Sequence, residues 1–232
     1  MGTYAISRYG FDYRITADDP IMEDRFAAGE LCEQAMLDWI VANIPHGGIW
    51  VDAGANVGNH TLVFATACEA EMVIAFEPVP WNYRLLLENQ NRLDNPLDNV
   101  LPLMLGVGLG PSLMTIKPTA QGRNCQFSLA IDGKPNAAVV SLDAVVPRDN
   151  VRLLKIDVEG MEYYTLRGAM NILEASHPEI FVEIWHQREL DMIIDLLTPY
   201  GYRLIECWNH SPTFHFSASG RYNVTYKPRQ LS

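Results

Sequence analysis

Two apolar runs that each stop on a carboxylate and a glycine constrain this chain more than any other feature. They are GIWVDAG, residues 48–54, and RLLKIDVEG, residues 152–160. Helical spacing follows both, in NVGNHTLVFATACEA (56–70) and EYYTLRGAMNILEAS (162–176). Between them come the strand pattern MVIAFEP (72–78), the helix pattern PWNYRLLLENQNRLD (80–94) and the strand pattern NVLPLMLGV (99–107). EIFVEIW (179–185), a helix around LDMIIDLLTPYG (190–201), and strands RLIECW (203–208) and RYNVTYK (221–227) complete the series. Strands alternating with helices in this order predict a parallel sheet with helices on both faces.

Upstream, TYAISRYGFDYRIT (3–16) has strand-forming residues on both sides of Tyr9 and Gly10, which predicts a hairpin. Apolar residues at three- and four-residue spacing from Glu30 to Ile44, stopped by Pro45, predict a helix. From 109 to 139 the helical pattern gives way to Gly, Pro, Asn and Ser around short strand-like pieces, SLMTIK (112–117) and CQFSLAI (125–131). This segment is expected to be an inserted hairpin or loop region of one domain that spans residues 1–232, with 1–28 as an N-terminal extension.

Composition removes several classes of partner. The chain has 232 residues with 17 Lys and Arg against 28 Asp and Glu, and the basic residues are scattered, so no basic stripe exists to follow a nucleic acid. Cys32, Cys68, Cys125 and Cys207 are too far apart for a zinc pattern and too few for a disulfide-stapled domain. No apolar run reaches the ~18 residues that a membrane span needs. A cytoplasmic location without a membrane partner is the expectation.

A helix that follows a parallel strand directly has its N-terminus at the carboxyl edge of the sheet, where open α/β folds bind ligands. Gly54 permits a tight turn there, and Gly58 permits close approach of a ligand or strand to the first helical turn. Asp52 closes the first strand, and Glu77, followed by Pro78, ends the next one 25 residues later, near the ~20-residue offset at which an acid meets ribose hydroxyls. A nucleoside site follows. The glycine spacing differs from the dinucleotide G-x-G-x-x-G, and a carboxylate at Asp52 would repel a pyrophosphate while suiting an ammonium. S-adenosyl-L-methionine is therefore favoured over a nicotinamide cofactor.

The segments VDAGANVGNHTLVFA, AFEPVPWNYRLLLENQ, VSLDAVV, LLKIDVEGMEYYTLRGA and PEIFVEI resemble, in order and spacing, the FkbM family of S-adenosylmethionine-dependent methyltransferases over residues 28–206. The resemblance implies a class I, Rossmann-like methyltransferase fold, a seven-stranded sheet whose last strand is antiparallel and inserted beside its neighbour. It also implies that Asp52, Gly54, Ala55, Asn56 and Gly58, with Asn59 beside them, line the amino-acid end of the cofactor. Glu77 and Pro78 then meet the ribose, adenine contacts fall near Leu105 and Gly106, and Asp157 faces the reacting centre.

Acids at the end of a buried strand cost several kcal/mol unless they are paired or face a wet cleft, so Asp157 and Glu159 are candidate functional residues. Glu162 also suits a helix's first turn. Two or three acids do not specify a metal site, and none is expected. His186, just past EIFVEIW, borders the same crevice if the strands are neighbours. Glu159 or His186 is the candidate group that orients or deprotonates an acceptor. The expected reaction is methylation of a hydroxyl oxygen on a small-molecule or sugar-like acceptor. A non-catalytic nucleoside-binding protein and an NAD-dependent oxidoreductase are the competing readings.

Overall fold

The computed structural model describes residues 1–91, 97–118, 125–129, 135–227 and 231. The expected hairpin is β1 (Gly2–Arg8) and β2 (Phe11–Ala17), turning through Tyr9 and Gly10, both at positive φ. Next is α1 (Pro20–Ala27), started by the Asp19 carboxylate, which accepts the Ile21 and Met22 N–H groups, and by Pro20 in its first turn. α2 (Gln34–Asn43) begins later than its apolar spacing suggests, because Glu33 is left-handed and ends the preceding loop.

The alternating core comprises β3 (Ile49–Ala53), α3 (Asn59–Thr66), β4 (Met72–Phe76), α4 (Pro80–Gln90) and β5 (Val100–Leu103). A second group follows: β6 (Gly106–Val107), β7 (Ser112–Pro118), β8 (Cys125–Leu129), β9 (Ala137–Val140) and the short α5 (Leu142–Val145). The chain then returns through β10 (Val151–Ile156), α6 (Glu162–Arg167), α7 (Met170–Ser176), β11 (Glu179–Glu183) and α8 (Gln187–Leu197), and finishes with β12 (Arg203–Trp208) and β13 (Thr213–Ser217).

The central sheet has seven strands in the order β12-β13-β11-β10-β3-β4-β5. From β11 to β5 every pairing is parallel, and β13 is antiparallel to both of its neighbours. Successive residues of a strand face opposite sides, so each inner strand needs apolar residues at every position. Trp50, Val73, Leu153 and Phe181 pack under α2, α3 and the hairpin. Val51, Ile74, Leu154 and Ile180 pack on the other face with Leu166, Ile172 and Ile193 of α6, α7 and α8. The two-faced burial explains the continuous apolar runs.

Several sequence expectations are corrected here. Residues 221–227, expected to be the last strand, carry no strand; instead Thr225 and Tyr226 donate their N–H groups to the Ile205 carbonyl. The antiparallel strand is Thr213–Ser217, inside a stretch that reads as irregular. Its polar residues are buried because Glu179 accepts the Ser217 hydroxyl at 3.1 Å and pairs with His215 at 2.9 Å. NVLPLMLGV divides into β5 and β6, which belong to different sheets, with a turn closed by Leu105 N–H donating to Leu103 O. EYYTLRGAMNILEAS forms two helices that break at Gly168, where an added Cβ would lie 2.1 Å from the Gly108 carbonyl oxygen. The insertion contributes β7 and β8 to a four-stranded sheet in the order β6-β9-β7-β8. Residues 130–131 of the expected CQFSLAI strand, and 92–94 of the expected fourth-element helix, lie outside the described residues.

Candidate active site

The site begins with the pairing of β3 and β10. Ala53 stands opposite Ile156, and Asp157 N–H donates to Ala53 O at 2.9 Å, so the turn after β3 and the turn after β10 leave the sheet together. Gly54 crosses this junction at a φ of +84°, with no room for a side chain. Gly58 caps α3 at a φ of +94°, and a Cβ there would come within 2.7 Å of Leu86 Cδ1. Helix α4 packs against Gly58.

An open cleft lies along this edge. The turn after β3 lines it with Gly54, Asn56 and Val57, and the end of β4 with Phe76, Glu77 and Pro78. The segment after β5 adds Leu105, Gly106 and Val107; the turn after β10 adds Asp157, Val158, Glu159 and Met161. Asp18 and Asp19 enter from the N-terminal extension, Trp81 and Asn82 from α4, and Met114 from β7. The cleft is open to solvent at its mouth.

Glu77 is held by its surroundings. Its Oε2 accepts the Asn56 N–H and its Oε1 the Val79 N–H, both at 2.8 Å. Burial pushes its carboxyl up to about 7 despite these bonds. Each carboxylate oxygen has a second lone pair, so two acceptor positions remain.

Beneath Gly54 lies a buried cation. Lys155 Nζ donates to Gly54 O and to Asp157 Oδ2, both at 3.2 Å, and stands 3.7 Å from Asp52 Oδ1. Desolvation opposes its charge, but Asp157, Asp52 and Glu33 hold the ammonium protonated well above the ordinary lysine range. Glu33 takes part from the entry to α2, where His60 Nε2 lies 2.9 Å from its Oε2 and the Asn209 amide and Thr213 hydroxyl donate to its Oε1. Desolvation works against this carboxylate too, and the His60 contact and the His60 and Lys155 charges outweigh it, so Glu33 sits below the usual range. Three separate stretches of chain, around residues 33, 52–54 and 155–157, thus meet around one ammonium.

Of the residues singled out in the sequence, Gly54, Asn56, Glu77, Pro78, Leu105, Gly106, Asp157 and Glu159 border the cleft. The others do not. Asp52 is fully buried and accepts the Thr61 hydroxyl at 2.6 Å, so its charge is spent on Thr61 and Lys155 rather than offered at the surface of the cleft. Ala55 packs with Ala75 and Leu86. The Asn59 side chain exchanges two hydrogen bonds with the backbone of Cys32, at 3.0 and 3.1 Å, and fastens the loop before α2 to α3. His186 is exposed at the N-cap of α8. Glu162 folds back to accept the Val158 and Gly160 N–H groups, which shapes the loop carrying Glu159.

Sequence reasoning passed over Lys155, Glu183, Asp18 and Asp19. Lys155 and Glu183 are visible as lone charged residues in apolar runs, a sign that each must find a partner. Asp18 and Asp19 carry no local signal, since only the docking of the hairpin brings them to the cleft.

A mostly parallel seven-stranded sheet with its antiparallel strand inserted second from one edge, and an open cleft over the central strand ends, define the class I methyltransferase fold. More particularly, the chain belongs to the FkbM methyltransferase family: the family model described as Methyltransferase FkbM domain matches residues 52–204. It is thus a methyltransferase dependent on S-adenosylmethionine. Hexuronic acid methyltransferase AglP of Haloferax volcanii is 26% identical over 175 residues, covering 73% of this chain and 69% of that protein. Methyltransferase sdnD of Sordaria araneosa is 26% identical over 184 residues, covering 62% and 69%. The crystal structure of an FkbM methyltransferase from Methylobacillus flagellatus KT superposes with a TM-score of 0.58 at 18% identity, over 75% of this chain and 45% of that one. This chain therefore spans less than half the length of that protein. M. jannaschii TYW2, solved with AdoMet, shares the fold at a TM-score of 0.51 and 14% identity, over 92% and 83%. Among the described residues no helix is long and apolar enough to cross a membrane.

Proposed function

We propose that the protein methylates a hydroxyl oxygen of a sugar-like or other small polyhydroxylated acceptor. The observation that carries the cofactor half of this reading is Glu77, anchored by two backbone N–H groups yet bordering the cleft. Its free lone pairs suit a ribose diol. Leu105, Gly106 and Val107 offer an apolar lining suited to adenine, and Asn56 and Asp157, in the same cleft, suit the amino-acid tail and sulfonium. The carboxylates of Asp157, Glu77 and Glu159 fit a cationic ligand and oppose a pyrophosphate, which favours this cofactor over a dinucleotide.

When bound, S-adenosylmethionine supplies the methyl group as an electrophile. The chain's own task is then alignment and exclusion of water. Glu159 stands at the cleft rim on a left-handed residue held by the Glu162 loop, a position suited to orienting an acceptor hydroxyl. The sugar-like acceptor is supported by the resemblance to a hexuronic acid methyltransferase. His186, exposed at the start of α8, is placed to meet an acceptor only from outside the cleft.

The test is calorimetric titration with S-adenosylhomocysteine, followed by mass spectrometry of products from a panel of neutral and acidic sugars. Binding and a gain of one methyl group are expected. Absence of binding at ~1 mM ligand, where a site of about -4 kcal/mol is half filled, overturns the reading.

A further inference from the structure

We propose that Glu183 is a positioning residue for the transfer, forming with Asp157 a carboxyl pair that takes up the acceptor's hydroxyl proton as a unit. This rests on the methyltransferase reading above and goes beyond it in naming where the proton goes.

The geometry follows from strand register. β10 and β11 are parallel with Ile156 opposite Val182, so the next residues, Asp157 and Glu183, leave the sheet side by side on the same face. Neighbouring positions on paired strands stand about 4.8 Å apart, so the two carboxyl groups can share one proton. Each is also anchored from its far side. Lys155 Nζ donates to Asp157 Oδ2 at 3.2 Å, and Trp185 Nε1 donates to Glu183 Oε2 at 3.0 Å. Asp157 borders the cleft, and Glu183 is half-buried.

Two adjacent carboxylates resist ionising together, and burial adds to the cost, so the second proton leaves late. Desolvation and the Asp157 charge push Glu183 up to about 8. The charged groups that bear on it are Asp157 and Lys155 of β10, and Lys155 in turn faces Asp52 of β3 and Glu33 ahead of α2. With both carboxyls ionised, the pair takes up one proton as a unit and shares it between the two groups.

In the step itself, an oxygen lone pair of the acceptor forms the new O–C bond to the methyl carbon while the S–C bond breaks and its electron pair stays on sulfur. The hydroxyl proton passes from that oxygen to Asp157, into the bond shared with Glu183, and then to solvent. No further reactant is needed.

The experiment compares wild type, Glu183→Gln and Glu183→Asp with methyl glucoside as acceptor at saturating cofactor, from pH 6 to 9.5. Affinity for S-adenosylhomocysteine and the folded state are measured in parallel. Wild-type kcat is expected to climb with pH and to level off above about 8. Glu183→Gln should bind the cofactor product normally, lose about 10²-fold in kcat and show a flat profile over this range. Glu183→Asp should recover part of the rate and keep the rise. An unchanged kcat and pH profile in Glu183→Gln overturns the proposal, and so does a cofactor-bound wild type that leaves the glucoside unmethylated. If Glu183→Gln does not fold, Glu183→Asp decides: wild-type kcat with no pH-dependent rise overturns the pair. Failure to bind S-adenosylhomocysteine overturns the methyltransferase reading instead.

Discussion

Gly54 and Asp157 touch through their backbones: a Cβ built on Gly54 would lie 1.7 Å from the Asp157 carbonyl oxygen. The two strand-end motifs therefore fit together only if the first carries glycine, whatever lies in the cleft. Gly54→Ala must both adopt a φ of +84° and push Asp157 away. We expect ~3 kcal/mol or more of lost stability in urea denaturation, with loss of cofactor binding by calorimetry. A variant as stable as wild type would show that the turns can separate.

Lys155 holds three acids together from the inside. Lys155→Met removes the cation and leaves Asp52 buried beside Asp157, and breaking a buried pair in this way costs ~3–5 kcal/mol. The pH dependence has a definite sign. A lysine raised in the folded state contributes its full stability below the unfolded value of ~10.4 and loses it only as pH rises through the higher folded value. The gap between wild type and variant should therefore stay constant from about pH 6 to 9. Denaturation midpoints across pH check this.

Glu77 links cofactor affinity to pH. Its carboxyl is pushed up to about 7, so it gains a proton as pH falls through neutrality and then offers the ribose a weaker acceptor. Affinity for S-adenosylhomocysteine should fall as pH drops from 8 to about 5.5, and Glu77→Gln should bind ~1–3 kcal/mol more weakly at pH 8 with little pH dependence. Stability of the free protein runs the other way. A carboxyl raised in the folded state stabilises fully below ~4.3 and loses that contribution as pH climbs to about 7. Isothermal titration and urea denaturation at several pH values separate the two effects.

What the sequence reveals depends on whether a residue finds its partners locally. β3, β4, β10 and β11 are legible because burial on both faces demands unbroken apolar runs, and Gly54 and Glu77 are legible because they end those runs. β13 is not, because Thr213, His215 and Ser217 are satisfied by Glu33 and Glu179, far away along the chain. The Asp157–Glu183 pair needs the register of two strands before it exists. Likewise Asp52 reads as a ligand for a cation, and it is one, but the cation is Lys155.

The N-terminal hairpin reaches the cleft through Asn89. The amide of this buried residue on α4 donates to Thr16 O at 3.0 Å and Val57 O at 2.8 Å and accepts the Thr16 N–H at 2.8 Å. One side chain therefore fastens β2 both to α4 and to the turn that forms the cleft floor, two residues before Asp18. Asn89→Leu keeps the size but leaves three buried backbone groups unpaired, at ~1–3 kcal/mol for each that finds no other partner. We expect a loss of ~3 kcal/mol in urea denaturation and faster hydrogen exchange at the Thr16 amide. Cofactor affinity should fall as well, because Asp18, Asp19 and Val57 all border the cleft. Asn89→Asp retains the acceptor for Thr16 N–H and loses both donors, so Thr16 should exchange more slowly in it than in Asn89→Leu. If both variants bind S-adenosylhomocysteine as wild type does, the hairpin is a neighbour of the cofactor site and not one of its walls.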